Sequence, residues 1–324
     1  MKFAIIGCGS IGKRHIKNLL SLNHKVAAWN RGEKRRKEVK KLFDIQTFSK
    51  QEELYNKFKP DVVFICTPNI DHTKDALLAA KNKCSIFIEK PLASNLKDLS
   101  KLKKIIINSK INTHIACNMR FDFGPKKIKE LLNSKTLGKI LWSNFFVGTY
   151  LPKWHPNEDY KKMYSSLTSL GGGVILDCIH EIDLLLWYFN APTKYYSIMK
   201  NTKTLNIQTE DIADFIFHFK SGLIASMHMD YLYYPPKRSI KILGQKGWAE
   251  WDIATNDVKM YLNSSKKIKI FKSKKNYNKN LMYIDQIKYF IDCIKKNKKS
   301  FSSFEDGFNA LNLVMKLKNK NILK

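Results

Sequence analysis

The 324-residue chain is 44% apolar, enough for two cored domains, and its six cysteines lie in apolar stretches with no CxxC spacing, so zinc or disulfide frameworks are not expected. The net charge of +30 comes from 58 Lys and Arg against 28 Asp and Glu, but only six of the basic residues are Arg and the charge is dispersed, which argues against a nucleic-acid surface. No uncharged apolar stretch approaches about 18 residues and "MKFAIIGCG" lacks signal-peptide length and cleavage pattern, so a cytoplasmic protein with no membrane partner is expected.

In chain order, the first part alternates apolar runs with helical patterns: "KFAIIG" and a helix from Ile11, "KVAAWN" and Glu33 to Leu42, "DVVFICT" and His72 to Asn82, "SIFIEK" and Leu96 to Asn108, then "THIACNM". Such alternation predicts a parallel sheet covered by helices on both faces. After Arg120 the pattern changes to a helix over Pro125 to Leu132 and a strand in "KILWSNFFVGTYL". The apolar run "GGGVILDCIHEIDLLLWYF" then reads as a helix, and the β-rich runs "YYSIMKN", "DIADFIFHF", "GLIASMHMDYLY", "SIKILG", "WAEWDI" and "DVKMYLN" follow, joined by turns such as "KSG" and "GQKG". They predict a large, mostly antiparallel sheet. The lysine-rich "KKIKIFKSKKNYNK" reads as an edge strand guarded by charge and then a loop, and helices near Met282 to Lys295 and Glu305 to Asn319 close the chain. The fold class is α/β: a dinucleotide-type domain over 1–121 and an α+β domain over 122–324.

"GCGSIG" sets Gly7, Gly9 and Gly12 between the first strand and the first helix, the context in which GxGxxG is informative. Gly7 permits the tight turn, Gly9 lets backbone approach a pyrophosphate, and Gly12 allows close helix packing, so NAD or NADP is the expected cofactor. At the end of the second strand, "WNRGEKRRK" puts Asn30 and Arg31 where an acid would bond the ribose of NAD, with Lys34, Arg35 and Arg36 following. Those bases favour NADP, unless they are surface charge. In "FIEKPLA", Glu89 and Lys90 leave the carboxyl end of a parallel strand, the side on which open α/β sheets bind ligands.

On one unbroken helix, Asp177, His180, Glu181 and Asp183 fall in a single polar arc, while Leu184, Trp187 and Tyr188 continue that arc as apolar residues. A helix wet in its first half and buried in its second points to a cleft. His180 suits a base that takes a hydroxyl proton near neutral pH, Lys90 suits stabilisation of the oxygen's developing charge, and Asp177 suits orienting either one. Arg120 is placed to clamp an anionic substrate group or to pack structurally, and Tyr150, Trp154, His155 and Tyr160 offer surfaces for a sugar ring or for loop packing. His218 and His228 alternate with apolar neighbours and read as structural. No metal ligand set and no nucleophile elbow is present.

Together, "GCGSIG", "CTPNIDH", "EKP" and "GGG…D..H..D" resemble the glucose-fructose oxidoreductase, inositol dehydrogenase and rhizopine catabolism family, Gfo/Idh/MocA, with motifs in order from residue 7 to residue 183. The resemblance implies a Rossmann domain followed by a domain whose open sheet makes dimer or tetramer contacts, and oxidation or reduction of a sugar or cyclitol hydroxyl. By motif match Lys90 is the family's lysine, Asp177 and His180 are the acid and imidazole of its catalytic helix, and Ser10, Ile11, Thr67, Pro68 and His72 lie beside the cofactor. Asp177 and His180 are three positions apart where many members have four. "NMRFDFGP" and "YLPKWHPNEDYKKMYSS" are similar to a subgroup found with surface-polysaccharide sugars, implying a nucleotide-linked or modified sugar as substrate. The competing readings are a redox-neutral glycosidase or epimerase that keeps its nicotinamide bound, and a non-catalytic dinucleotide-binding protein.

Overall fold

A computed structural model describes residues 1–154, 158–274 and 277–321. From the N-terminus the chain forms β1 (Lys2–Ile6), α1 (Ser10–Ser21), β2 (Lys25–Trp29), α2 (Glu33–Phe43), β3 (Gln46–Phe48), α3 (Gln51–Glu53), β4 (Val62–Ile65), α4 (His72–Lys81), β5 (Ser85–Ile88), α5 (Leu99–Asn108) and β6 (Thr113–Ile115). Next come α6 (Phe123–Asn133), β7 (Ile140–Gly148), α7 (Val174–Asp177), α8 (Ile179–Phe189), β8 (Lys194–Lys200), β9 (Ile212–His218), β10 (Ile224–Asp230) and β11 (Lys237–Gly244). The chain closes with β12 (Gly247–Asp252), β13 (Val258–Leu262), β14 (Lys267–Phe271), α9 (Leu281–Lys295) and α10 (Phe304–Asn319).

Two compact units result, one of Met1–Cys117 with Asn280–Leu311 and one of Asn118–Lys279 with Asn312–Lys324. The single boundary expected between residues 121 and 122 therefore shifts, and residues 280–311 return to the first unit. Packing explains the return: Ile287, Phe290 and Ile291 of α9 join Phe3, Phe64 and Phe87 in one apolar core. The side-chain amides of Asn18 and Asn280 also exchange hydrogen bonds at 3.2 and 2.8 Å.

In the first unit six parallel strands run in the order β3-β2-β1-β4-β5-β6. The order reverses between β1 and β4, which makes the carboxyl ends of those strands the ligand-binding edge. β1 and β4 are buried on both faces, as continuous runs such as "FAII" and "VVFI" require. α1 turns Gly12, His15, Ile16 and Leu19 inward at helical spacing.

Among the described residues the second unit holds eight strands in the order β14-β13-β12-β11-β7-β10-β9-β8, and of these only the β7 and β10 pair is parallel. Alternation sets its two faces: Ala213, Phe215 and Phe217 of β9 are buried, while Asp214, Ile216 and His218 between and beyond them are exposed. On the open face the register aligns Ile224, Trp142, Leu243, Trp248, Tyr261 and Ile268 across six strands. β14 is an edge whose Lys267 and Lys269 flank exposed Ile268, as its sequence predicts; residues 275 and 276 of the expected loop lie outside the described residues. Among the described residues no helix is long and apolar enough to cross a membrane.

Candidate active site

The phosphate loop is built mostly from backbone. Gly7 takes φ of +101°, and a Cβ there would sit 2.6 Å from the Cys66 carbonyl oxygen; a Cβ on Gly12 would sit 2.0 Å from the Gly7 oxygen. Gly9 differs, since its nearest neighbour would be the Arg35 guanidinium at 3.9 Å. α1 starts beyond Gly9, at Ser10 and Ile11, with no side-chain cap and no acid in its first turn, leaving its first N–H groups for an anion. A dinucleotide pyrophosphate fits this donor set, and Gly9, Ser10 and Ile11 would hold it. Burial pushes the Cys8 thiol in the loop up to about 11 against the lowering charge of Arg35, so Cys8 stays protonated.

At the end of β2, Asn30 supports the loop. Its Oδ1 accepts from the Cys8 N–H at 3.0 Å and its Nδ2 donates to the Gly32 carbonyl at 3.2 Å. Arg36 donates to the carbonyls of Asn30 and Arg31, both at 2.7 Å, and braces the turn. Arg31 is largely exposed, with Asp71 at 3.6 Å.

The turns after β4 and β5 are tied from behind. Thr67 donates to Asp75 Oδ2 at 2.7 Å, and Pro68 accepts from the Asp71 N–H at 2.9 Å. His72, expected beside the cofactor, has its ring nitrogens 2.8 Å from the carbonyls of Pro91 and Thr67 and straps these two turns together. Burial lowers the affinity of this imidazole for a proton, and the two carbonyls oppose that effect. Glu89 meets His15, 2.7 Å away on α1, and half-buried Lys90 follows it. His15 was not singled out in the sequence, although its place on the buried face of α1 beside Gly12 was a signal.

In the second unit the wet helical arc is also corrected. α7 ends at Asp177 and α8 begins at Ile179, with Cys178 at φ −92°, ψ 25° breaking the helix between them. Asp177, His180, Glu181 and Asp183 are only 4, 8, 2 and 1% exposed. Arg120 grips Asp183 through two bonds, Nε to Oδ2 at 2.8 Å and a terminal nitrogen to Oδ1 at 2.6 Å, and its charge lies 5.5 Å from the Trp187 ring centre. That buried pair favours the structural of the two roles open to Arg120. Glu181 pairs with partly exposed Arg238, whose Nε lies 2.8 Å from Oε1 and whose terminal nitrogen donates to Oε2 at 3.5 Å.

Asp177 is held by two phenols missed in the sequence. Tyr231 donates to its Oδ2 at 2.5 Å and Tyr164 hydrogen-bonds the same carboxylate; burial, then the Asp177 charge, raises both phenols well above their usual range and keeps them donors. Trp154 sets its ring edge-on to Tyr231 at 5.5 Å and donates to the Thr149 hydroxyl at 2.7 Å. The Tyr160 hydroxyl is engaged by the Leu205 carbonyl at 3.1 Å, and Tyr150 lies edge-on to Tyr234 at 6.2 Å. His155 lies outside the described residues.

A family model described as an oxidoreductase family with an NAD-binding Rossmann fold matches residues 1–114, and the GFO/IDH/MocA C-terminal domain model matches residues 126–250. The chain belongs to the Gfo/Idh/MocA family. It is therefore a member of an oxidoreductase family, and its first unit is the NAD-binding Rossmann domain. It is similar to a myo-inositol 2-dehydrogenase of Thermotoga maritima, 25% identical over 96% of this chain and 93% of that protein. It is also similar to a 2,7-anhydro-N-acetylneuraminate hydratase of Escherichia coli, 25% identical over 60% of this chain and 52% of that one. The fold matches the WlbA dehydrogenase of Bordetella pertussis, solved with NADH and UDP-GlcNAcA, at a TM-score of 0.82 and 18% identity over 98% of this chain and 95% of that one.

Proposed function

We propose that the chain is an NAD(P)-dependent dehydrogenase or reductase moving hydride between the nicotinamide and a hydroxyl- or keto-bearing carbon of a sugar, cyclitol or nucleotide sugar. The carrying observation is the uncapped N-terminus of α1 at Gly9, open to an anion and overlooked by Arg35, in the same unit as Lys90. When bound, the dinucleotide supplies the hydride acceptor. His180, in the second unit, suits the base that takes the hydroxyl proton, and Lys90, in the first, suits the group that offsets the oxygen's developing charge. Asp177, held by two phenol donors, acts as a fixed anion that orients. Tyr150, Trp154 and Tyr160 are the aromatic groups offered to the sugar ring.

NADP is favoured by Arg31 and Arg35, since no acid closes β2 and Asn30 serves the loop. Trp142, Leu243 and Ile268 on the open sheet face, at 37, 41 and 58% exposure, support a dimer or tetramer through that face. The six cysteines, all free and buried, support a reducing cytoplasm. The WlbA complex and the likeness to surface-polysaccharide enzymes support nucleotide-linked sugars as the first class to try. The second reading is redox-neutral turnover with retained dinucleotide, supported by the hydratase relative, because hydration changes no net oxidation state.

The test is reduction of NAD and NADP against a panel of nucleotide sugars, cyclitols and free sugars, with mass spectrometry of products. Reduced cofactor in step with a keto sugar is expected. Product at unchanged mass, or changed by one water, without net reduction selects the redox-neutral reading, and a blank panel removes both.

A further inference from the structure

The pair formed by His15 and Glu89 has no part in the chemistry above. His15 is fully buried on α1, its ring edge-on to Phe64 at 5.1 Å and to Phe87 at 5.2 Å, with Tyr283 at 6.3 Å. An aliphatic side chain would fill that place without a polar atom to satisfy. Its Nε2 lies 2.7 Å from Glu89 Oε1; a carboxylate oxygen accepts, so Nε2 donates. Among the described residues Nδ1 has no hydrogen-bond partner, so all of the ring's hydrogen bonding there is directed at Glu89. Buried polar pairs of this kind are often replaceable by apolar residues at no cost to stability, so stability alone does not account for it.

Its placement does. α1 carries the phosphate loop at its N-terminus, and His15 lies six residues from Gly9, about 9 Å along a rigid helix. From there the imidazole reaches past β4 to the residue that follows β5, whose backbone N–H is bonded to the Ile65 carbonyl at 3.0 Å. Lys90 is the next residue.

We propose that His15 is a positioning residue: its Nε2–H holds the Glu89 carboxylate and thereby keeps the Glu89–Lys90 turn in register with the helix that receives the dinucleotide pyrophosphate. This inference rests on the dinucleotide reading and deepens it. A ligand seated on α1 then has its distance to Lys90 fixed in part by this side-chain hydrogen bond, beside the His72 strap and the Glu89 backbone bond, and an error of about 1 Å there costs about 100-fold in rate.

The experiment compares the full-length protein with His15→Phe, which keeps a ring and loses the donor, and His15→Gln, whose amide reaches the Nε2 position. Hydrogen exchange of residues 89–93 is expected to be about tenfold faster in the Phe variant while β1 and β4 are unchanged, and to return to within about threefold in the Gln variant. Calorimetric affinity for NADP or NAD should stay within about threefold in both, and kcat on the sugar found by the panel should fall about tenfold or more in Phe and recover in Gln. Unchanged exchange at 89–93 in the Phe variant, or a Gln variant as impaired as Phe, overturns the proposal. If the Phe variant does not fold, His15→Asn, too short to reach Glu89, takes its place with the same expectations. A wild type that binds neither dinucleotide removes the proposed function, whereas the exchange comparison still decides whether His15 holds the turn.

Discussion

The glycine loop after β1 and the polar run from Asp177 to Asp183 are both candidates for the chemistry, but they are built in opposite ways. The loop is mostly main chain: its geometry follows from φ at Gly7 and from the 2.0 Å that a Gly12 side chain would leave to the Gly7 oxygen. The run consists of side chains whose partners are remote in sequence, Arg120 63 residues from Asp183 and Arg238 57 residues from Glu181. A site dictated by backbone sterics can be read locally. One dictated by long-range ion pairing cannot, because a helical wheel shows which residues share a face but not what that face meets.

The main-chain half depends most on Gly12. Gly12→Val forces a side chain onto the Gly7 carbonyl, and dinucleotide affinity measured by calorimetry should fall by about 100-fold or more, about 3 kcal/mol. Affinity close to wild type would mean that the loop is not the anion site. The matching break in the second unit is Asp183→Asn, which leaves Arg120 buried without its countercharge and should cost about 3–5 kcal/mol in urea unfolding. The double variant Arg120→Met with Asp183→Leu should recover most of that loss, since it removes the orphaned charge as well as the pair.

These expectations track what was legible. The strands of the first unit follow from apolar runs, except β3, whose three residues "QTF" are too short for any pattern to register. The antiparallel sheet and the charged edge at β14 follow from alternation and turn spacing. The return of α9 to the first unit was not legible, because amphipathic spacing shows that a helix buries one face without showing against which sheet. At the candidate site, strand ends alone point to the loop and to Glu89–Lys90. Tyr164 and Tyr231 were not legible, since a tyrosine that serves a carboxylate 54 residues away looks in sequence like any core aromatic.

A finer probe of the side-chain half is Tyr231→Phe, which removes one donor from the buried Asp177 carboxylate. It should cost about 1.5–3 kcal/mol of stability, as loss of a hydrogen bond to a charged group does, and lower kcat while leaving the dinucleotide KM unchanged. The smallest effect is electrostatic and lies on the open sheet face. His228 is raised to about 9, by Asp214 first and Asp230 second. Its folded value exceeds the unfolded one, so its stabilising contribution is complete below about pH 6.5 and is lost as pH rises through about 9. Unfolding midpoints measured from pH 6 to 10 should decline more steeply for wild type than for His228→Gln, and salt should shrink the gap because the pair is half exposed.

The assignment of the reaction is tested most directly by steady-state turnover of His180→Ala and Lys90→Ala on the sugar that reduces the cofactor in the panel, with dinucleotide affinity measured alongside. A fall in kcat of about 100-fold or more in each, with His180→Ala still binding NADP or NAD like wild type, is the predicted result. Turnover near wild type in either variant would contradict it.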